Sequence, residues 1–374
     1  MYKVKNNGYN PLSLIFLVLI VLLVFNAGYF IRMIQPNLSF GKAKMEEITR
    51  IKKDNFDKDE SIFLIDHGII QISNDEMIYI DDALKKKWSK KVNGTDIKVF
   101  NNGDYIYVID ATLGDVFKVD YEGNIQAKVF SQGNIEKVID YNDRLLTVLT
   151  EKNYLISFDE NLEKVNEENL NLDHILDIKK NDHQYYILNI EHKNKTYFTR
   201  VVSLDESFAF LSNLNINDTI TYNIHFNGDK RLLQSNKKML LVDASDETLW
   251  TVTTDHIIKE VIFKDYIYVY TSDAKIDQEV GLSEDQAIDR LFLYDDKGVK
   301  IDEMSSPIKQ VNKMVKYNDK LFLVNDQELC VIDSNLEVLF IREMVENIND
   351  IRVLPNERVI LDTEENLVIY EFKY

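Results

Sequence analysis

A chain of 374 residues with 63 Asp and Glu against 44 Lys and Arg carries a formal net charge of −19. Acidity of that size repels phosphate backbones and argues against nucleic-acid binding. The single cysteine excludes an internal disulfide and a cysteine-pair zinc site, and 12 glycines in the whole chain leave little for phosphate-cradling loops.

Leu12–Ile31 is the one stretch without strand character. It carries no charge before Arg32 and is broken only by Ser13, Asn26 and Gly28. Twenty residues at about 1.5 Å each reach about 30 Å, the hydrocarbon thickness of a bilayer. A cleaved signal peptide would have a shorter apolar core and a small-residue cleavage site. The expectation is an uncleaved transmembrane anchor over 12–33 behind a short cytoplasmic tail, 1–11. Lys3 and Lys5 precede the span, whereas Arg32, Lys42, Lys44, Arg50, Lys52 and Lys53 follow it, so a bare positive-inside count points the other way. A short tail before a long translocated domain nevertheless favours an extracytoplasmic domain at the cell membrane.

Residues 34–60 read as a linker. Met45, Ile48 and Ile51 recur at i, i+3 spacing and favour a short amphipathic helix over a plain tether. Up to residue 60 the chain holds nine basic and six acidic residues, net +3, which leaves −22 for the remainder. That acidity keeps the domain soluble and suits a cationic or basic partner.

From 61 to 374 the sequence repeats. Apolar strands closed by an acid recur as Met77–Asp81, Val116–Asp120, Leu155–Asp159, Val201–Asp205, Met239–Asp243, Leu291–Asp295, Leu329–Asp333 and Leu367–Glu371. The steps between the closing acids are 39, 39, 46, 38, 52, 38 and 38 residues. Turn chemistry follows each acid, as in Asp120-Tyr-Glu-Gly-Asn and Asp295-Asp-Lys-Gly, and then a strand that ends at Trp88 or Trp250 in two copies. Upstream lie a first strand such as Ile135-Glu-Lys-Val-Ile, a polar hairpin, and a strongly β run such as Tyr105-Ile-Tyr-Val-Ile. Four short antiparallel strands in about 40 residues make one propeller blade. The fold class is therefore all-β, an eight-bladed β-propeller after one transmembrane helix. The last unit stops after its third strand, so ring closure would borrow a segment near Ser61–Asp66. In that case seven blades is the alternative count.

Among six histidines none has a metal-ligand spacing. Asp173-His174-Ile and Asp255-His256-Ile occupy the same place in their units, the loop before the first strand. Equivalent loops carry Thr95-Asp96, Asn134-Glu136, Asn217-Asp218 and Asn347-Asn349. In a propeller that loop opens toward the central channel, which makes Asp96, His174, Asp218 and His256 the candidate ligand-binding residues. The competing reading is plain turn chemistry, which uses the same residue types. No catalytic residue, metal site or cofactor is expected. The 52-residue step contains an insertion, 271–290, as apt for function as for a tolerated hairpin extension. Cys330, mid-strand, is expected to pack as a small buried residue.

With Asp81 to Trp88 and Asp243 to Trp250 as the best-matched stretches, the units resemble the pyrroloquinoline-quinone-type propeller repeat. With the anchor, the chain looks like membrane-tethered propellers of Gram-positive bacteria. The resemblance covers about 61–374. Enzymes of that superfamily hold their quinone with an adjacent-cysteine disulfide and a calcium site. This chain lacks both, so neither cofactor nor dehydrogenase activity carries over. The expectation is a non-catalytic binding or scaffolding propeller that faces a protein or envelope partner. The alternative is a small-ligand or cation receptor or an enzyme with a site at the channel mouth.

Overall fold

The computed structural model describes residues 43–52, 61–73, 76–81, 85–92, 94, 96–130, 132–142, 145–172, 174–193, 196–217, 219–254, 257–263, 266–272, 289–354 and 358–373. Eight four-stranded antiparallel sheets, the blades of a β-propeller, account for the strands among them. The chain forms two compact units, one of residues up to Arg50 together with those from Pro307, the other of Ile51–Ser306. The larger unit holds six sheets and the smaller two.

In each of the first seven sheets the strands follow chain order, and the acid-closed strands are the third in line, as the repeat requires. The eighth sheet is different. Its first three strands are Ile348–Val353, Arg358–Thr363 and Asn366–Lys373, and its fourth is Lys44–Lys52 from the other end of the chain. This corrects two expectations. Residues 44–52 belong neither to a linker nor to a helix, and Ser61–Ile65 is the first strand of the first sheet. The i, i+3 apolar spacing competed with a period-2 pattern in the same residues. Met45 is buried and Ile48 is 46 % exposed, as in a strand that turns one face inward. Ala43 N–H donates to Leu339 O at 2.9 Å, and Lys373 pairs with Glu46 across the sheet.

The sheets bury their faces against one another. One apolar cluster joins the first two sheets through Ile70, Met77, Ile106 and Val108, and another joins the fourth and fifth through Leu188, Val201, Ile224 and Leu233. The smaller unit has its own core of Phe322, Leu329, Phe340, Leu361 and Tyr370. Cys330 is fully buried, and burial pushes its thiol up to about 12. The 46-residue step comes from two ten-residue strands, Gln184–Lys193 and Thr196–Asp205. The 52-residue step falls on 273–288, outside the described residues, as does the span expected at 12–33.

Candidate functional site: the repeat turns, the first strands and the loops before them

The repeated acids staple turns. Oδ1 of Asp159 accepts the N–H groups of Asn161 and Glu163, both at 2.9 Å. Asp205, Asp243, Asp295 and Asp333 do the same two and four residues on. Hydroxyls add to this at Asp205 and Asp243, where the side chains of Ser207 and Ser245 hold the carboxyls below the ordinary aspartate range.

Three residues after the acid the backbone turns left-handed, at Gly123, Leu162, Phe208, Asp246, Gly298 and Leu336. A left-handed conformation costs an L-residue about 1–2 kcal/mol, and burying a large apolar side chain returns about as much. Leu162, Phe208 and Leu336 are accordingly buried. Where glycine stands instead, a tryptophan of the preceding sheet fills the space. A Cβ on Gly123 would lie 2.9 Å from the Trp88 ring, and one on Gly298 2.6 Å from that of Trp250. Trp88 Nε1–H donates to Tyr121 O and Trp250 Nε1–H to Asp296 O, each at 2.9 Å. Asn166 Nδ2 reaches Glu206 O at 3.0 Å in the same register. Both tryptophans sit mid-strand, in Lys86–Lys91 and Thr248–Thr253, not at strand ends.

At the other edge, the first strands of the third to sixth sheets meet through polar side chains. Lys137 pairs with Asp177, and Lys179 Nζ lies 3.7 Å from Asp177 Oδ2 and donates to Asn223 Oδ1 at 2.8 Å. Asn223 Nδ2 donates to Glu260 Oε1 at 2.9 Å, and His225 Nε2 lies 2.6 Å from the same oxygen. Four successive sheets are thus bridged by one chain of groups. The side chain of Glu260 is 1 % exposed, so Asn223 and His225 hold a carboxylate that water does not reach. Burial pulls the Lys179 ammonium below its ordinary value, against Asp177. Burial, with the Glu260 charge behind it, pushes the Tyr222 phenol up to about 12. In the smaller unit Lys313 and Asp350 make the equivalent pair.

Four of the loops before the first strands share one backbone role. The carbonyls of Asp96, Asn134, His174 and Asn347 accept the N–H groups of Ala111, Glu151, Ile190 and Glu364 at 2.8, 3.0, 2.9 and 3.0 Å. The side chains of Asp96 and His174 are exposed. Asp218 and His256 lie outside the described residues. Among the described residues no group of three or more His, Cys, Asp or Glu is placed to hold a metal ion.

Two clefts of ≈ 380 Å³ open beside these loops, the first of mixed polar and apolar lining and the second mainly polar. In the third sheet one is lined by Gln132, Asn134, Thr150, Glu151, Lys152 and Tyr154, with Asn134 Nδ2 bonded to Glu151 Oε2 at 2.8 Å. In the smaller unit the other is lined by Gln310, Asn325, Asp326, Gln327, Glu328 and Asn347. Sequence reasoning singled out Asn134 and Asn347 but missed their hairpin partners and the whole Lys137–Glu260 chain. The available signal was polar residues at alternate places in the first strands, as in Asp177 and Lys179 or Asn223 and His225.

With this geometry in hand, comparison with known proteins places the chain. The model of a family of unknown function, DUF5711, matches residues 39–371. The protein belongs to that family. No curated protein matches its sequence. Among solved structures, BamB from Moraxella catarrhalis is similar over 88 % of this chain and 100 % of its own, with a TM-score of 0.57 and 11 % identity. The Dos1 propeller is similar over 87 % and 95 %, with a TM-score of 0.59 and 13 % identity. Sqt1 of Saccharomyces cerevisiae is similar over 86 % and 98 %, with a TM-score of 0.60 and 10 % identity. Identities this low establish the shared propeller fold alone.

Proposed function

We propose that this DUF5711 member is a non-catalytic binding or scaffolding propeller, tethered to the cell membrane by residues 12–33 with its sheets on the extracytoplasmic side, where it offers an acidic surface to a protein or envelope partner. One observation carries the reading: among the described residues, the repeat aspartates and the charged groups of the first strands are spent on holding the fold. The repeat aspartates bind their own turn amides, and Asp177 and Glu260 face Lys137, Lys179, Asn223 and His225. What remains for a partner is a broad surface of loops and strand edges. The uncharged stretch from Leu12 to Ile31 supports the tether. The propeller fold shared with BamB and Dos1 is compatible with a scaffold.

Photo-crosslinking tests this in the cell of origin, with a crosslinker at Glu151 or Gln327 in the two clefts and another at buried Cys330 as control. One protein captured reproducibly from the cleft positions and not from Cys330 is the expected result. Crosslinks at the clefts no different from those at Cys330 contradict the reading.

A second reading, a receptor for a small polar ligand or cation, is favoured by the clefts themselves. Their ≈ 380 Å³ falls in the size range of ligand sites. Melting-temperature shifts across metals and sugars, lost on Asn134→Ala or Asn347→Ala, would support it. Flat melting temperatures would remove it.

A further inference from the structure

We propose that the fourth strand of the first sheet, Lys86–Lys91, and the cleft beside it form a docking surface for an anionic lipid bilayer. The proposal rests on the tether reading above, which brings the chain to a membrane.

The strand reads Lys-Lys-Trp-Ser-Lys-Lys, with four lysines and no acid. The other fourth strands of the same unit differ. Ile125–Val129 has one lysine and no acid, Lys164–Asn169 one lysine against two glutamates, Lys300–Ser305 one lysine against Asp302 and Glu303, and Phe210–Ile216 and Thr248–Thr253 have no charge. In a chain of net charge −19 this strip is an inversion. Lys86 and Lys87 lie 3.7 and 3.4 Å from Glu76 and Asp81, and more than half of each lysine side chain is exposed. The pair of Lys86 with half-exposed Glu76 holds its lysine weakly.

Apolar surface is exposed in the same place. A cleft of ≈ 200 Å³ is lined by Lys90, Lys91, Asp115, Phe117, Ile125 and Phe130 among others. Ile125 and Phe130 are each 49 % exposed, and Lys128 Nζ sits 5.3 Å from the centre of the Phe130 ring. The volume falls short of a small-molecule site. It suits the edge of an interface in which lysines meet headgroup phosphates while aromatic and aliphatic side chains enter the boundary layer. The net acidity of the rest of the protein works in the same sense. An anionic surface repels the bulk of the domain and attracts this strip, which gives docking one orientation.

The test compares the full chain in nanodiscs of phosphatidylcholine alone and of phosphatidylcholine with phosphatidylglycerol, read by hydrogen–deuterium exchange. Slower exchange at 86–91 and 125–130 in the anionic discs only is the expected result. Each of Lys86→Gln, Lys87→Gln, Lys90→Gln and Lys91→Gln should weaken docking about fivefold, as expected for a lysine at an anionic surface. Lys→Arg at the same positions should preserve it. Equal exchange in both discs overturns the proposal. So does protection by soluble polyphosphate in phosphatidylcholine discs with none from phosphatidylglycerol, which would assign the strip to a soluble polyanion. Retention in the discs reads the tether separately. A chain that leaves both kinds of disc refutes the tether, and phosphatidylglycerol vesicles added to it then decide the docking by the same exchange measurement.

Discussion

Along the fourth strands of the larger unit neighbouring sheets interlock by size, whereas along the first strands they are joined by charge. Trp88 and Trp250 fill the space left by Gly123 and Gly298, and where the turn carries Phe208 the facing residue is the smaller Asn166. The first strands meet through Lys137, Asp177, Lys179, Asn223 and Glu260. A fit by size tolerates exchange of both partners together. A buried carboxylate tolerates loss of neither side. The two seams should therefore fail in different ways.

The largest effect is expected at the size seam. Gly298→Ala places a methyl group 2.6 Å from the Trp250 ring at a backbone φ of +74°. Left-handed strain and overpacking together should cost about 3–4 kcal/mol, read as a lower denaturant midpoint. Adding Trp250→Ala should recover the overpacking part, and a double variant no better than the single would break the account of the seam. At the charge seam, Glu260→Ala leaves Asn223 and His225 facing an empty pocket and should cost about 3 kcal/mol, with no rescue from a size change nearby. Trp88→Phe keeps an aromatic side chain but loses part of the indole volume over Gly123 together with the bond to Tyr121 O, for about 2 kcal/mol.

The smallest effect is in pH. The carboxyls of Asp205 and Asp243 are held below the ordinary aspartate value of 3.8. Their stabilisation is then complete above that value and is lost as the pH falls through the lower, folded-state one. Ser207→Ala and Ser245→Ala remove the main cause of the shift. Acid unfolding should move to higher pH in both variants, and an unchanged acid midpoint would contradict the turn assignment.

Most of the architecture was legible because it is periodic. The acids at 81, 120, 159, 205, 243, 295 and 333 mark third strands, and from 120 on each is followed three residues later by a left-handed turn, a pattern local to a few residues. The closing strand was not legible. Lys44–Lys52 has no period-2 signal strong enough to outweigh its helical spacing, and its pairing with Asn366–Lys373 is a contact between the ends of the chain. The site was legible only in part. Asp96, Asn134, His174 and Asn347 share one backbone role because the repeat puts them there. The joining of Lys179 to Asn223 and of Asn223 to Glu260 depends on which sheets become neighbours and which face each side chain takes, and a one-residue shift of register reverses that face.

The tether and the side of the membrane on which the sheets lie are the centre of the functional account. They are tested most directly by fractionating cells that carry the chain with a carboxy-terminal tag. Membranes are washed with alkaline carbonate, and intact spheroplasts are treated with protease from outside. The chain should stay in the carbonate-washed pellet, and external protease should remove the tag. Release by carbonate, or a tag protected until the membrane is opened, would contradict it.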